Sequence, residues 1–218
     1  MMKKRRYGTY HVLIWFCLCY SVCCTSFASP TNSKEKLRIL FVGNSLTYTN
    51  DLPQLVKNAA KAKGIKVSVE MIAFPNYALI DHWADGVVQR KLEAKKYDYV
   101  IFQQGPSSQS EGKGLLLDYG KKYSELSVQN GSHPCFFMVW PSRQYYHTFD
   151  GVIANYTEVA KVNDATLIPV GTIWKQYFDL TENYDYYGFD GFHPSLKGSE
   201  KAAEVIVQTL ILKKISNK

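Results

Sequence analysis

Beyond residue 28 the chain holds a single cysteine, Cys135; the other four, Cys17, Cys19, Cys23 and Cys24, all lie ahead of it near the N-terminus. An intrachain disulfide is therefore excluded for residues 29–218, and Cys135, set in an apolar run, reads as a buried inert thiol. Acidic residues are missing before Glu35, whereas Lys3, Lys4, Arg5 and Arg6 crowd the start. The apolar run that follows, residues 12–24, falls short of the about 20 residues a membrane span needs. Histidines at metal-ligand spacing are also lacking: His133 and His147 are loop residues without matching partners, so neither metal nor cofactor is expected. No internal repeat divides the sequence.

The basic start, the short apolar run and Ser26-Phe27-Ala28 together have the form of a secretory signal peptide cut after Ala28. A retained anchor is the alternative, and Cys19, Cys23 and Cys24 follow no convincing lipobox. Removing residues 1–28 takes away four basic residues and no acidic one, so the formal charge of +7 drops to about +3. That is no footprint for nucleic acid. After signal removal no membrane span is expected. Export without disulfides suits a bacterial envelope, periplasmic or extracellular. The expected organisation is a signal peptide (1–28), a short polar linker (29–36) and one domain (37–218). Nothing in the sequence sets the oligomeric state.

Within the domain, five short apolar runs alternate with helical patterns. Leu37 to Val42 reads as a strand buried on both faces. Asp51 to Lys63 carries Leu52, Leu55, Val56, Ala59 and Ala60 on one helical face, and Gly64 ends it. Further strands are expected at residues 67–73, 98–103, 135–140 and 166–170. Helices are expected near 79–94, 115–129, 149–162 and 196–215. Residues 105–114 read as a polar loop and 174–192 as irregular and aromatic. Strands alternating with helices predict an α/β fold: a five-stranded parallel sheet inside a three-layer αβα sandwich of flavodoxin-like order.

Two stretches carry chemistry. Gly43-Asn44-Ser45 follows the first strand, where open α/β sheets bind ligands. Taken alone it is also an ordinary turn sequence. Near the C-terminus stands Asp190-Gly191-Phe192-His193-Pro194. A neutral imidazole can take a proton from a serine hydroxyl, and a carboxylate three residues away can fix its tautomer. Taken alone, that segment is a loop before a helix.

Taken together, the two ends resemble the SGNH hydrolases, the GDSL-type esterases and lipases. In that family a Gly-Asp-Ser or Gly-Asn-Ser block follows the first strand and Asp-x-x-His precedes the last helix. The resemblance spans residues 37–218 and is nearest the secreted branch with Gln in the third block, here Tyr99-Val100-Ile101-Phe102-Gln103. It implies a Ser45–Asp190–His193 triad. It also implies an oxyanion hole from the Ser45 amide at a helix N-terminus, the amide of Asn76 in the glycine position of the second block, and the side chain of Gln103. Anchoring the loop is the equal alternative for Gln103.

Trp140 and Tyr77 are candidates to line the pocket. Tyr145, Tyr146, Tyr184, Tyr186 and Tyr187 suit either sugar rings or loop packing. Asp81-His82-Trp83 reads as a polar helix face beside Asp85, with contact to the site the lesser option. An α/β-hydrolase is the nearest competing enzyme fold, and Thr47, standing where the second glycine of its nucleophile elbow belongs, argues against it. The resemblance implies hydrolysis of short acyl esters, acetyl foremost, on a small-molecule or polysaccharide alcohol. A lipase or thioesterase for longer acyl chains, and a non-catalytic carbohydrate-binding protein, are the alternatives.

Overall fold

In the computed structural model Leu37–Gly43 forms β1, and every side chain of Ile39 to Val42 is at most 1% exposed. The structure describes Met2 and residues 36–216, with side chains through residue 210. The expected signal peptide and all but the last residue of the linker otherwise lie outside the described residues.

Burial on both faces follows from position. β1 pairs in parallel with β2 (Val67–Ala73), from Leu37 opposite Val67 to Gly43 opposite Ala73, and with β3 (Tyr99–Phe102), from Ile39 opposite Tyr99 to Val42 opposite Phe102. β4 (His133–Phe137) and β5 (Thr166–Ile168) extend the sheet in the order β2-β1-β3-β4-β5. All pairings are parallel, so every strand ends on the same edge.

The helices are α1 (Ser45–Tyr48), α2 (Leu52–Ala62), α3 (Leu79–Asp85), α4 (Val87–Ala94), α5 (Ser110–Gln129), α6 (Phe149–Val162), α7 (Val170–Thr181) and α8 (Leu196–Ser216). α2 packs on α8, whereas α3, α4 and α6 pack on α5, giving the two outer layers of an αβα sandwich. None of the described helices is long and apolar enough to cross a membrane.

Four local expectations change. The helix over 79–94 is two helices, broken at Gly86, whose φ of 66° is left-handed. α5 begins at Ser110, inside the expected loop. β4 and β5 are shorter than expected, since Phe137 and Ile168 end their pairing and Pro169 opens a helix at once. The stretch beginning at Trp174 is not wholly irregular. Val170, Trp174 and Phe178, four apart and at most 1% exposed, form the buried stripe of α7. Aromatic and β-branched residues favour helix weakly, so this stripe is held by packing rather than propensity.

Candidate active site

Gly43 closes β1 under two close neighbours. A Cβ there would come within 2.4 Å of both Gln103 Oε1 and Thr47 Oγ1. This close approach requires a glycine. The turn that follows is pinned throughout. The Asn44 amide donates to Gln103 Oε1 at 2.9 Å, Thr47 Oγ1 donates to the same oxygen at 2.7 Å, and the Leu46 amide donates to Asn44 Oδ1. Asn44 Nδ2 donates to Tyr77 O, which ties the turn to the loop after β2. The amides of Thr47 and Tyr48 donate to Asn44 O. The Ser45 amide has no acceptor among the described residues. α1 is a single turn, so its amides rather than a helix dipole are what this turn offers a negative charge.

His193 comes from the loop before α8, 148 residues away, and its Nε2 lies 2.9 Å from Ser45 Oγ. Asp190 Oδ2 lies 2.6 Å from His193 Nδ1. The other carboxylate oxygen, Oδ1, accepts from the amides of Phe192 and His193. Partial burial works against charge on Asp190, but the bonds from His193 and the two amides outweigh it and hold the carboxyl below its ordinary range. A carboxylate at Nδ1 requires the proton there, which leaves the Nε2 lone pair facing the serine.

The histidine loop is rigid by construction. Tyr187 and Pro194 form an antiparallel bridge, and the Gly188 amide donates to His193 O at 2.7 Å. Asn50, in the left-handed region at φ 56°, donates from Nδ2 to both Pro194 O and Ser199 Oγ. This clamp joins the segment after Ser45 to the segment after His193. Sequence reading gave Asn50 no part in the site. Its signal was that asparagine tolerates left-handed backbone better than most residues.

The other expected site residues divide. Asn76 has φ 61°, the conformation a glycine would take, and its amide has no acceptor among the described residues. Gln103 requires correction: it is 1% exposed, its Oε1 takes the two donors above, and its Nε2 donates to Gln104 O at 2.7 Å. It therefore braces the serine turn from beneath and presents no surface to a substrate. The Asn44 amide, which can only donate, fixes Oε1 as the acceptor.

Trp140 requires the same correction. It is fully buried, its ring stacks on Trp174 at 3.5 Å, and its Nε1 donates to Phe192 O. It supports the histidine loop instead of lining a pocket. Tyr77 lays its ring against Phe74 and His82. Tyr186 and Tyr187 are buried, and Tyr187 donates its hydroxyl proton to Pro141 O. Tyr146 donates to Asp179.

His82, which the sequence suggested lay on a polar face, is 1% exposed, with Nε2 2.8 Å from Gly43 O. Since the carbonyl can only accept, Nε2 carries the proton. Burial holds the imidazole below its ordinary pKa, against the pull of the Gly43 carbonyl. It therefore packs as a neutral ring behind the serine turn.

Clefts open at this edge of the sheet. One of about 460 Å3 is lined by Ser45, Tyr48, Asn50, Phe189 and His193 among others. Another of about 590 Å3, between the loops after β3 and β4, is lined by Pro106, Pro141, Tyr145, His147 and Phe192 among others. The Phe192 and His193 ring centres are 5.3 Å apart.

No family model matches the sequence, and no curated protein matches it significantly. Solved structures do match. A candidate SGNH hydrolase from Slackia heliotrinireducens superposes with a TM-score of 0.68 at 23% identity, over 81% of this chain and 100% of that one. A lipase/acylhydrolase from Enterococcus faecalis gives 0.63 at 17% identity, over 80% and 95%. A catalytic variant of Axe2, an acetylxylan esterase from Geobacillus stearothermophilus, gives 0.60 at 13% identity, over 81% and 96%. The chain has the fold of the SGNH hydrolases.

Proposed function

We propose that this protein is an exported serine esterase that removes short acyl groups, acetyl foremost, from carbohydrate alcohols. The observation that carries the reading is the unbroken hydrogen-bonded chain Ser45 Oγ–His193 Nε2, His193 Nδ1–Asp190 Oδ2.

Ser45 Oγ attacks the ester carbonyl while its proton passes to His193 Nε2. The tetrahedral oxyanion takes hydrogen bonds from the amides of Ser45 and Asn76, neither of which has an acceptor among the described residues. The C–O bond to the alcohol breaks, and the Nε2 proton goes to the departing oxygen. Water then repeats the sequence on the acyl-enzyme, returning Ser45 and releasing the acid. Asp190 keeps the imidazole in the reactive tautomer and stabilises it while charged.

Acetyl as the acyl group is supported by likeness to a fold neighbour described as an acetylxylan esterase. Export is supported by the basic, then apolar, N-terminal sequence. Protein from its native host should begin near Ser29, and N-terminal sequencing that finds Met1 would refute cleavage.

Turnover of 4-nitrophenyl acetate tests the chemistry. Ser45→Ala and His193→Ala should each lower kcat by about 10³ or more, and Asp190→Asn by less. Near-normal turnover in Ser45→Ala would remove the serine from the mechanism. A second reading, hydrolysis of longer acyl chains, is favoured by the cleft of about 590 Å3 beside Phe192. Chain length separates the two. An acetyl site loses kcat/KM from acetate to octanoate, whereas an acyl groove gains roughly fourfold per methylene, the equivalent of about 0.8 kcal/mol buried.

A further inference from the structure

The loop that carries Asp190 and His193 also carries the most exposed aromatic side chain of the domain. Phe189 is fully solvent-accessible. A single exposed apolar residue is common and explains nothing by itself. Its surroundings are what make it informative.

Phe189 is set on a tight loop, with Gly188 N donating to His193 O and Gly191 N donating to Gly188 O. The ring thus projects from a fixed base. It forms a wall of the cleft that contains Ser45 and His193. It forms a wall of a second cleft as well, of about 640 Å3, whose other lining includes Ser142, Arg143 and Gln144. Phe189 is therefore a ridge between the reacting atoms and a polar trough.

The trough offers donors. Arg143 makes no ion pair among the described residues. Its guanidinium is held 4.5 Å above the Tyr184 ring, and its backbone amide donates to Gly191 O, which fixes the trough to the histidine loop. A guanidinium oriented by an aromatic face keeps its five donors in a set plane. Gln144 is exposed beside it and can both donate and accept.

Direction follows from the chemistry. His193 hands its proton to the departing alcohol oxygen, so the alcohol lies on the side of the histidine loop. An aromatic face for C–H groups, next to donors and acceptors for hydroxyls, matches a pyranose, which presents both on one ring. We propose that Phe189, Arg143 and Gln144 form a sugar-binding subsite for the alcohol portion of the substrate, with a sugar ring lying on Phe189 and its hydroxyls reaching Arg143 and Gln144. This subsite rests on the carbohydrate-ester reading above.

Two measurements keep that reading and the subsite separable. In the first, kcat/KM is taken for acetylated xylotetraose and for 4-nitrophenyl acetate, and their ratio is compared between proteins. Phe189→Ala should lower the ratio about tenfold through KM for the oligosaccharide, Phe189→Tyr should restore most of it, and Arg143→Met should lower it about threefold. An unchanged ratio in Phe189→Ala, with both esters cleaved, overturns the subsite.

In the second, the Ser45→Ala protein is titrated with unacetylated xylotetraose while the Phe189 ring resonances are followed by NMR. Progressive, saturable shifts support the subsite whether or not the parent protein turns over any ester. Absence of shifts at millimolar sugar overturns it. Failure of the parent to cleave either ester counts against the proposed function alone, and the titration then decides the subsite.

Discussion

Replacing Gln103 with leucine separates a structural brace from an oxyanion donor. The side chain is 1% exposed and takes two donors on Oε1, the Asn44 amide at 2.9 Å and Thr47 Oγ1 at 2.7 Å. Leucine fills similar space but accepts nothing. Gln104 O, which accepts from Gln103 Nε2, keeps a bond from Tyr156 Oη at 2.6 Å and is not orphaned. Two buried donors are therefore left unsatisfied, each worth about 1–3 kcal/mol. The expected loss is about 2–6 kcal/mol, a large part of the about 5–15 kcal/mol that holds most domains folded. With a urea slope of about 2 kcal/mol/M, the midpoint should fall by about 1–3 M. The assay is urea denaturation followed by tryptophan fluorescence, with 4-nitrophenyl acetate turnover measured well below the midpoint. If Gln103 were instead an oxyanion donor, kcat would fall by about 10²–10³ with the midpoint unmoved. That pattern would refute the brace.

Two further outcomes follow from buried or paired charges. His82 is held below its ordinary pKa by burial, so the folded protein stays neutral there while the unfolded chain binds a proton below about pH 6.5. Stability from this residue is complete above that pH and is lost on acidification; the stability gap between the parent and His82→Gln should narrow from pH 7.5 to 5.5, and parallel curves would contradict it. Glu70 is held at about 2 by Lys91 and Lys95, so its contribution is present above 4.5 and lost as pH falls toward 2. Glu70→Gln should cost about 1 kcal/mol at pH 7 after solvent screening, with the difference from the parent closing across that window in urea titrations.

The sheet was legible because its strands are short, apolar and separated by helical patterns, and burial on both faces leaves no other pattern for a parallel strand. The juxtaposition of Ser45 with Asp190 and His193 was expected from the family resemblance that the two motifs carry together, not from either motif alone. What escaped was set by tertiary context. Gln103 directly follows β3 and Trp140 lies three residues past β4, where either direction suits a polar or aromatic side chain. Their burial under Gly43 and against Trp174 is decided by neighbours far along the chain. His82 looked polar beside Asp81 and Asp85, yet its helix turns it inward onto a carbonyl. α7 was hidden because its stripe of Val170, Trp174 and Phe178 is made of weak helix formers. Phe189 drew no notice, since exposure of one residue in a loop leaves no mark in sequence.

The pairing of Ser45 with His193 also bears on how this chain folds. Their hydrogen bond closes 148 residues, and β1 must be flanked by β2 on one side and by β3 on the other before its end is fixed. Contacts so distant in sequence form late and slowly, because the entropy of closing the chain is spent before any of them forms. The last described helix, α8, packs on α2, and the Asn50 bonds to Pro194 O and Ser199 Oγ tie the start of that helix to the segment after Ser45. In refolding from urea, burial of the Trp140–Trp174 pair should precede the return of ester turnover or coincide with it. Turnover recovered ahead of tryptophan burial would mean that the site assembles without the full sheet.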